Sequence, residues 1–236
     1  MGIVQKVASQ GAIRQQKRLF DLISNNLTNV QTVGFKRDVP IFYPILNQAQ
    51  DRIQRISSEG VKTLFHQAAI QRTGNSLDLA IEGEGFFKVM TPEGIRYTRA
   101  GNFGLNQQKV LKNADGFPVL GKRGEIRLDG QAIVVENNGS IKVDGKEQDQ
   151  ITPVTFPNLD LLKKEGHSLF RLEVPQNEIE ARDSQILQGA LESSNVNPVG
   201  EMIDLVDSMR SYEACLKLIQ SNDELNSRVV NELGRV

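Results

Sequence analysis

The chain has 236 residues, 39% hydrophobic, 24% charged and 6% aromatic, enough for one elongated domain or two small ones around an aliphatic core. A net charge of −1 exerts no overall pull toward nucleic acid or an anionic membrane, and the single cysteine, Cys215, excludes an internal disulfide and a thiolate metal cluster. No stretch reaches the ~18 consecutive apolar residues of a membrane span, and residues 1–10 lack the apolar run of a cleaved secretory signal.

Proline divides the chain into three zones. All 8 prolines lie between Pro40 and Pro198, so both ends are free to be long helices and the middle is not. In the first zone Ala12, Leu19, Ile23, Leu27 and Val30 follow the step of one helical face. Gln15–Arg18 interrupt it with a polar turn. The spacing predicts a helix over residues 4–30, with Gly34 as its stop. Gly2 suggests N-myristoylation, but Lys6 stands where that motif takes Ser or Thr.

Residues 40–72 mix a Pro-flanked stretch, a polar run from Asn47 to Ser58 and an apolar run from Val61 to Ile70, and read as a connector. The next zone reads as short strands. Gly85–Met90 and Ile95–Arg99 flank Thr91-Pro92-Glu93-Gly94, a hairpin turn. Turn pairs at Asp115-Gly116, Asp129-Gly130, Asn138-Gly139 and Asp144-Gly145 recur at the spacing of a sandwich or barrel.

The last zone begins at Asn197-Pro198, an N-cap followed by a first-turn proline. Met202, Leu205, Met209, Tyr212, Leu216 and Ile219 then alternate three and four apart, a heptad seam continued to Leu233 and broken at Asp223 and Asn226. Such a stripe fits a helix on its own domain's core, and also one paired with an equally long partner. Residues 1–38 carry six basic and two acidic residues, a net of +4; residues 189–236 carry four and eight, a net of −4. Opposite charge favours pairing of the two ends. The expected fold class is α+β: long N- and C-terminal helices pairing as a coiled-coil-like layer, with a central, mainly antiparallel β domain. The expected division is a discontinuous helical assembly domain (1–39 plus 185–236), an extended connector (40–72) and a β-rich outer domain (73–184).

Signatures of chemistry are sparse. Gly116–Arg123 approaches a phosphate-binding loop, but Arg123 replaces the Ser or Thr that ligates magnesium and no helix follows; a hairpin with a basic turn accounts for it better. Gly83-Glu84-Gly85 precedes a strand instead of following one, so it is no dinucleotide fingerprint. Asp78, Glu82 and Glu84 lack the register of a calcium loop, and His66 and His167 lack metal-site spacing. No catalytic residue, metal or cofactor is expected.

Three segments together resemble the flagellar basal-body rod and hook protein family. They are Ser24-Asn25-Asn26-Leu27-Thr28-Asn29-Val30-Gln31-Thr32-Val33-Gly34-Phe35-Lys36; Leu77–Phe87 with Tyr97-Thr98-Arg99-Ala100-Gly101-Asn102-Phe103; and Gln188–Val199 with Met209–Ala214. The resemblance implies an axial rod subunit that transmits torque from motor to hook. It implies polymerisation through terminal helices with itself and other rod subunits, and type III export without signal cleavage to the periplasmic rod. Length and the Asn195-Val196-Asn197-Pro198-Val199 segment lean toward the proximal-rod branch. Neither nucleic-acid binding nor membrane insertion is implied. The candidate assembly residues are Ala12, Leu19, Ile23, Asn25, Asn26, Asn29, Val30, Gly34, Phe35 and Lys36, with Asn195, Asn197, Met202, Leu205, Met209, Tyr212, Leu216 and Ile219. A β-domain binding module or surface adhesin on a helical stalk is the alternative, and a glycan hydrolase using the carboxylates at 78–84 comes third.

Overall fold

In the computed structural model, which describes residues 2–45, 56–174 and 176–233, the first apolar stripe forms helix α1, Gly2–Thr28. It ends where Thr28 turns its hydroxyl back onto the Ser24 carbonyl (2.8 Å), and Asn29 accepts both the Thr32 amide and hydroxyl at 3.1 Å. Side-chain bonds of this kind compete with the next helical turn and stop propagation ahead of Gly34. Helix α2, Pro198–Leu233, starts with proline at its first position, where no amide is needed. Asn197 Oδ1 accepts the amides of Val199 (3.2 Å) and Gly200 (3.3 Å). Asn197→Ala should therefore cost ~1 kcal/mol at this helix end, read as faster hydrogen exchange at Val199 and Gly200.

The chain divides into two units. One comprises residues 1–28, 40–60 and 197–236; the other comprises 29–39 and 61–196. In the first, α1 and α2 meet through polar contacts. Gln16 donates to the Ser208 carbonyl (2.8 Å) and hydroxyl (3.0 Å), and Asn26, fully buried, donates to Glu201 Oε2 at 3.3 Å.

Among the described residues the expected coiled-coil-like layer is absent, and the α+β scheme built on it is corrected accordingly. Met202, Met209 and Tyr212 of the predicted seam are 52%, 48% and 38% exposed. Where a seam would close, Phe20, Met209, Tyr212 and Leu216 line an open groove of about 360 Å³. Knobs need holes on the facing helix. The heptads of α2 meet an α1 whose apolar spacing is broken by Gln15–Arg18, so no continuous set of holes exists.

The second unit is built on a six-stranded antiparallel sheet. Its order is Gly124–Glu125, Val119–Gly121, Phe87–Thr91, Gly94–Thr98, Leu169–Leu172, Leu162–Gly166. Side chains alternate across it, and both faces are apolar. Phe87 and Val89 enter one cluster with Leu79, Ile81, Ile141 and Ile186. Tyr97 and Phe170, paired in register, enter the other with Phe86, Val154, Phe156 and Leu162. A three-stranded sheet (Ile133–Val135, Ser140–Val143, Lys146–Gln150) carries further residues of the first cluster. Four two-stranded pairs accompany these sheets in the unit: Leu79–Glu82 with Gln185–Gln188, Ile70–Arg72 with Ala190–Glu192, Val154–Thr155 with Ile179–Glu180, and Gly104–Leu105 with Leu111–Lys112. Asp38–Ile45 and Ile56–Thr63, in the stretch read as a connector, pair as a two-stranded ribbon. Lys122-Arg123 form the tip between Val119–Gly121 and Gly124–Glu125, a hairpin and not a nucleotide loop.

Candidate functional site

Residues 34–38, 63–68, 99–101 and 192–195 converge in the second unit. Gly34 begins the convergence with φ +66°, and a Cβ there would lie 2.3 Å from the Ala100 nitrogen. Only glycine fits both that conformation and that approach. Its amide donates to the Glu192 carbonyl at 2.8 Å.

Lys36 and Glu192 are both fully buried, with Lys36 Nζ 2.5 Å from Glu192 Oε1. Arg99, 3% exposed, places Nη1 3.1 Å from Oε2 of the same carboxylate. Lys36 also donates to the His66 carbonyl (2.9 Å), and Arg99 to the carbonyls of Gly83 (2.8 Å) and Ile81 (3.4 Å). The Ala68 amide completes the shell of Glu192 at 2.9 Å. Two buried cations thus share one buried anion. Burial draws the Lys36 ammonium below its ordinary pKa, Glu192 opposes that, and neighbouring Arg99 reinforces it. Arg99 is lowered by burial too, against the pull of Glu192.

Around this centre each successive residue is tied. Lys164 sits 3.9 Å above the Phe35 ring, and it donates to the Lys36 carbonyl and to Asp38 (2.8 Å). Burial lowers its pKa, and the bond to Asp38 offsets part of that. Asn195 Oδ1 accepts the Arg37 amide (2.6 Å), while its Nδ2 donates to the carbonyls of Leu64 (2.8 Å) and His66 (3.2 Å). The Leu64 amide returns to the Arg37 carbonyl (2.8 Å), and Thr63 donates to Asp38 at 2.7 Å. The site is a mechanical clasp. It holds four segments distant in sequence by backbone bonds and by charge-assisted bonds, the latter being the stronger kind.

Of the candidate assembly residues, Gly34, Phe35, Lys36 and Asn195 meet in this clasp, and Asn29 makes the turn that precedes it. Val30 is half-buried in that turn. Ile23 and Asn26 are buried in the helical unit, where Leu19, Leu205, Leu216 and Ile219 are half-buried and Asn25 is exposed. Asn197 caps α2. Ala12 lies on α1, with its side chain outside the described residues. Asp78, 7% exposed, accepts from Thr73 (2.6 Å) and Asn75 (3.2 Å), whereas Glu82 and Glu84 are exposed and His167 pairs at the surface with Asp115 at 2.8 Å. Among the described residues no group of three or more His, Cys, Asp or Glu could hold a metal, and no helix is long and apolar enough to cross a membrane.

Arg99, Glu192 and Lys164 escaped the sequence reading as functional residues. One signal was present: in Ala190-Leu191-Glu192, strand alternation puts Glu192 on the buried side with Ala190. A glutamate at a core-facing strand position announces a buried partner.

Two family descriptions match the chain: "Flagellar hook protein FlgE/F/G D1 domain" over residues 80–146 and "Flagellar basal body rod FlgEFG protein C-terminal" over residues 187–233. The chain is 34% identical to the flagellar basal-body rod protein FlgG of Bacillus subtilis, across 89% of this chain and 92% of that protein. It is 33% identical to the rod protein FlgF of Caulobacter vibrioides (93% and 94% covered) and 30% identical to FlgF of Rhizobium meliloti (99% and 98%). Similarity of this degree to both FlgG and FlgF does not separate the two.

Proposed function

The chain belongs to the flagellar basal-body rod protein family, and from that premise we propose that it is a structural subunit of the rod which adds to a polymer through the outer faces of its helices. The observation that carries this is the exposed apolar stripe of α2. Met202, Ile203, Val206 and Met209 are 52%, 58%, 47% and 48% exposed and fall on one side of the helix. A stripe of that length on one helix marks a surface covered in the assembled state. Exposed Asp207 and Glu213 run beside it, and α1 exposes Arg14 and Lys17. The acidic apolar face of one subunit therefore suits the basic face of a neighbour, which biases contacts toward unlike surfaces. A contact between different surfaces propagates instead of closing.

In this reading the clasp ties residues 34–38 into the β module, so load arriving along that segment is shared among several bonds. The subunit is periplasmic, reaches the rod through the flagellar type III apparatus and performs no catalytic step. Its family is a structural one, which supports that assignment.

Replacing Ile203 and Val206 together with Glu tests the proposal. The wild-type chain is expected to sediment as a growing distribution of oligomers as concentration rises. The double variant should stay monomeric with unchanged helix content by circular dichroism. Equal association by the two proteins would refute the role of this face.

A further inference from the structure

We propose that Glu192 makes docking of the N-terminal segment 34–37 conditional on the C-terminal segment 190–195, so that the two ends of the β module close together. The dependence arises from charge balance and does not require polymerisation.

Lys36 and Arg99 are 0% and 3% exposed on their side chains, and Glu192 is the carboxylate that both contact. Their remaining hydrogen-bond partners, the carbonyls of His66, Ile81 and Gly83, carry no charge. With Glu192 in place the buried centre holds two cations and one anion. Without it, two like charges face each other in a poorly solvated interior, an arrangement that proteins avoid by expelling one of them. The expelled group is Lys36. Arg99 lies within the module, between the sheet strand Gly94–Thr98 and Gly101, and is anchored to two carbonyls. Lys36 sits on a segment held chiefly by the clasp.

The dependence runs one way more strongly than the other. Removing Lys36 leaves Glu192 and Arg99 as a balanced pair, so the C-terminal segment stays bound. Removing Glu192 leaves Lys36 with no contacting carboxylate and Arg99 with only the attraction of the exposed Glu84, which it does not touch. Ala190–Glu192 is also the last strand of the unit in chain order. The segment that is made first therefore cannot dock until the strand made last has arrived. A chain synthesised only through residue 191 holds its own 34–37 segment open.

Hydrogen exchange on the full-length chain tests this with Glu192→Gln, Lys36→Met and the double variant. Gly34 and Arg37 report the N-terminal segment, because their amides bond Glu192 O and Asn195 Oδ1. Met90 and Lys122, bonded to Pro118 O and Gln150 O, report the core. Glu192→Gln should speed exchange at Gly34 and Arg37 about a hundredfold with Met90 and Lys122 unchanged. Lys36→Met should change Ser193 and Asn195 by less than about tenfold. The double variant, relieved of one cation, should exchange at Gly34 more slowly than Glu192→Gln alone. A double variant as open as Glu192→Gln would overturn the proposal, because loss of hydrogen bonds and not charge imbalance would then be the cause. Loss of protection at Met90 and Lys122 in Glu192→Gln would overturn it too, by making Glu192 a residue of general stability.

Discussion

Gly34→Ala is expected to destabilise the β module by about 3 kcal/mol or more, through two effects that can be measured apart. The first is conformational: at φ +66° an alanine sits in the left-handed region, at a cost of about 1 kcal/mol. The second is contact. The added methyl would lie 2.3 Å from the Ala100 nitrogen and 2.4 Å from the Arg99 carbonyl carbon, both backbone atoms that no rotamer change can move aside. Relief requires the 34–36 segment to back away from residues 99–101, which also pulls Lys36 from Glu192. Gly74 supplies the control. Its φ is +76°, yet a Cβ there meets nothing within 4 Å, so Gly74→Ala should show the conformational cost alone, about 1 kcal/mol. Urea unfolding of the three proteins gives the comparison. If Gly34→Ala lost no more than Gly74→Ala, the close approach would not matter and the clasp would be looser than its distances indicate.

Much of the scaffold was legible because it follows from local chemistry. Asn197-Pro198 starts α2, and the Thr91–Gly94 turn joins two strands of the central sheet, with Thr91 pairing Gly94. The basic tip at Lys122-Arg123 is a hairpin because no helix follows it. The seam of α2 was misread for a physical reason. Heptads define an apolar stripe but not what covers it, and α1 offers no matching set of holes. Asp38–Ile45 contains Pro40 and Pro44, which argue against an interior strand but not against a two-stranded ribbon.

The clasp was half legible. Gly34, Phe35, Lys36 and Asn195 stood out through their motifs, although those motifs do not act as blocks. Asn26 turns to Glu201 in the helical unit, while Lys36, ten residues on, is buried in the β module. Glu192 stayed hidden because its partners lie 156 and 93 residues away. A charge reads as surface until the fold supplies its counter-charge.

Phe170→Ala should lower stability by about 4 kcal/mol, the usual cost of emptying an aromatic site in a closed core. In a unit of this size that corresponds to a fall in thermal midpoint of about 10 °C by calorimetry. Phe170 is fully buried, with ring centroids of Phe65 at 5.1 Å and Phe86 at 5.8 Å, both edge-on. Phe65 and Phe86 also touch each other at 5.5 Å, and Arg99 lies 5.4 Å over the Phe86 ring. The three rings are thus the floor of the clasp as well as part of the core. Phe65 belongs to the same stretch as Leu64, which bonds Arg37 and Asn195, and as His66, whose carbonyl receives Lys36. Emptying position 170 removes the wall against which that stretch rests. Exchange at the Leu64 and Ala68 amides should therefore rise more than at Lys122, on the far edge of the sheet. Phe170→Leu refills most of the volume and should recover all but about 1 kcal/mol. A midpoint in Phe170→Ala within about 2 °C of wild type would mean that the site collapses without loss, and the ring cluster would then support neither core nor clasp.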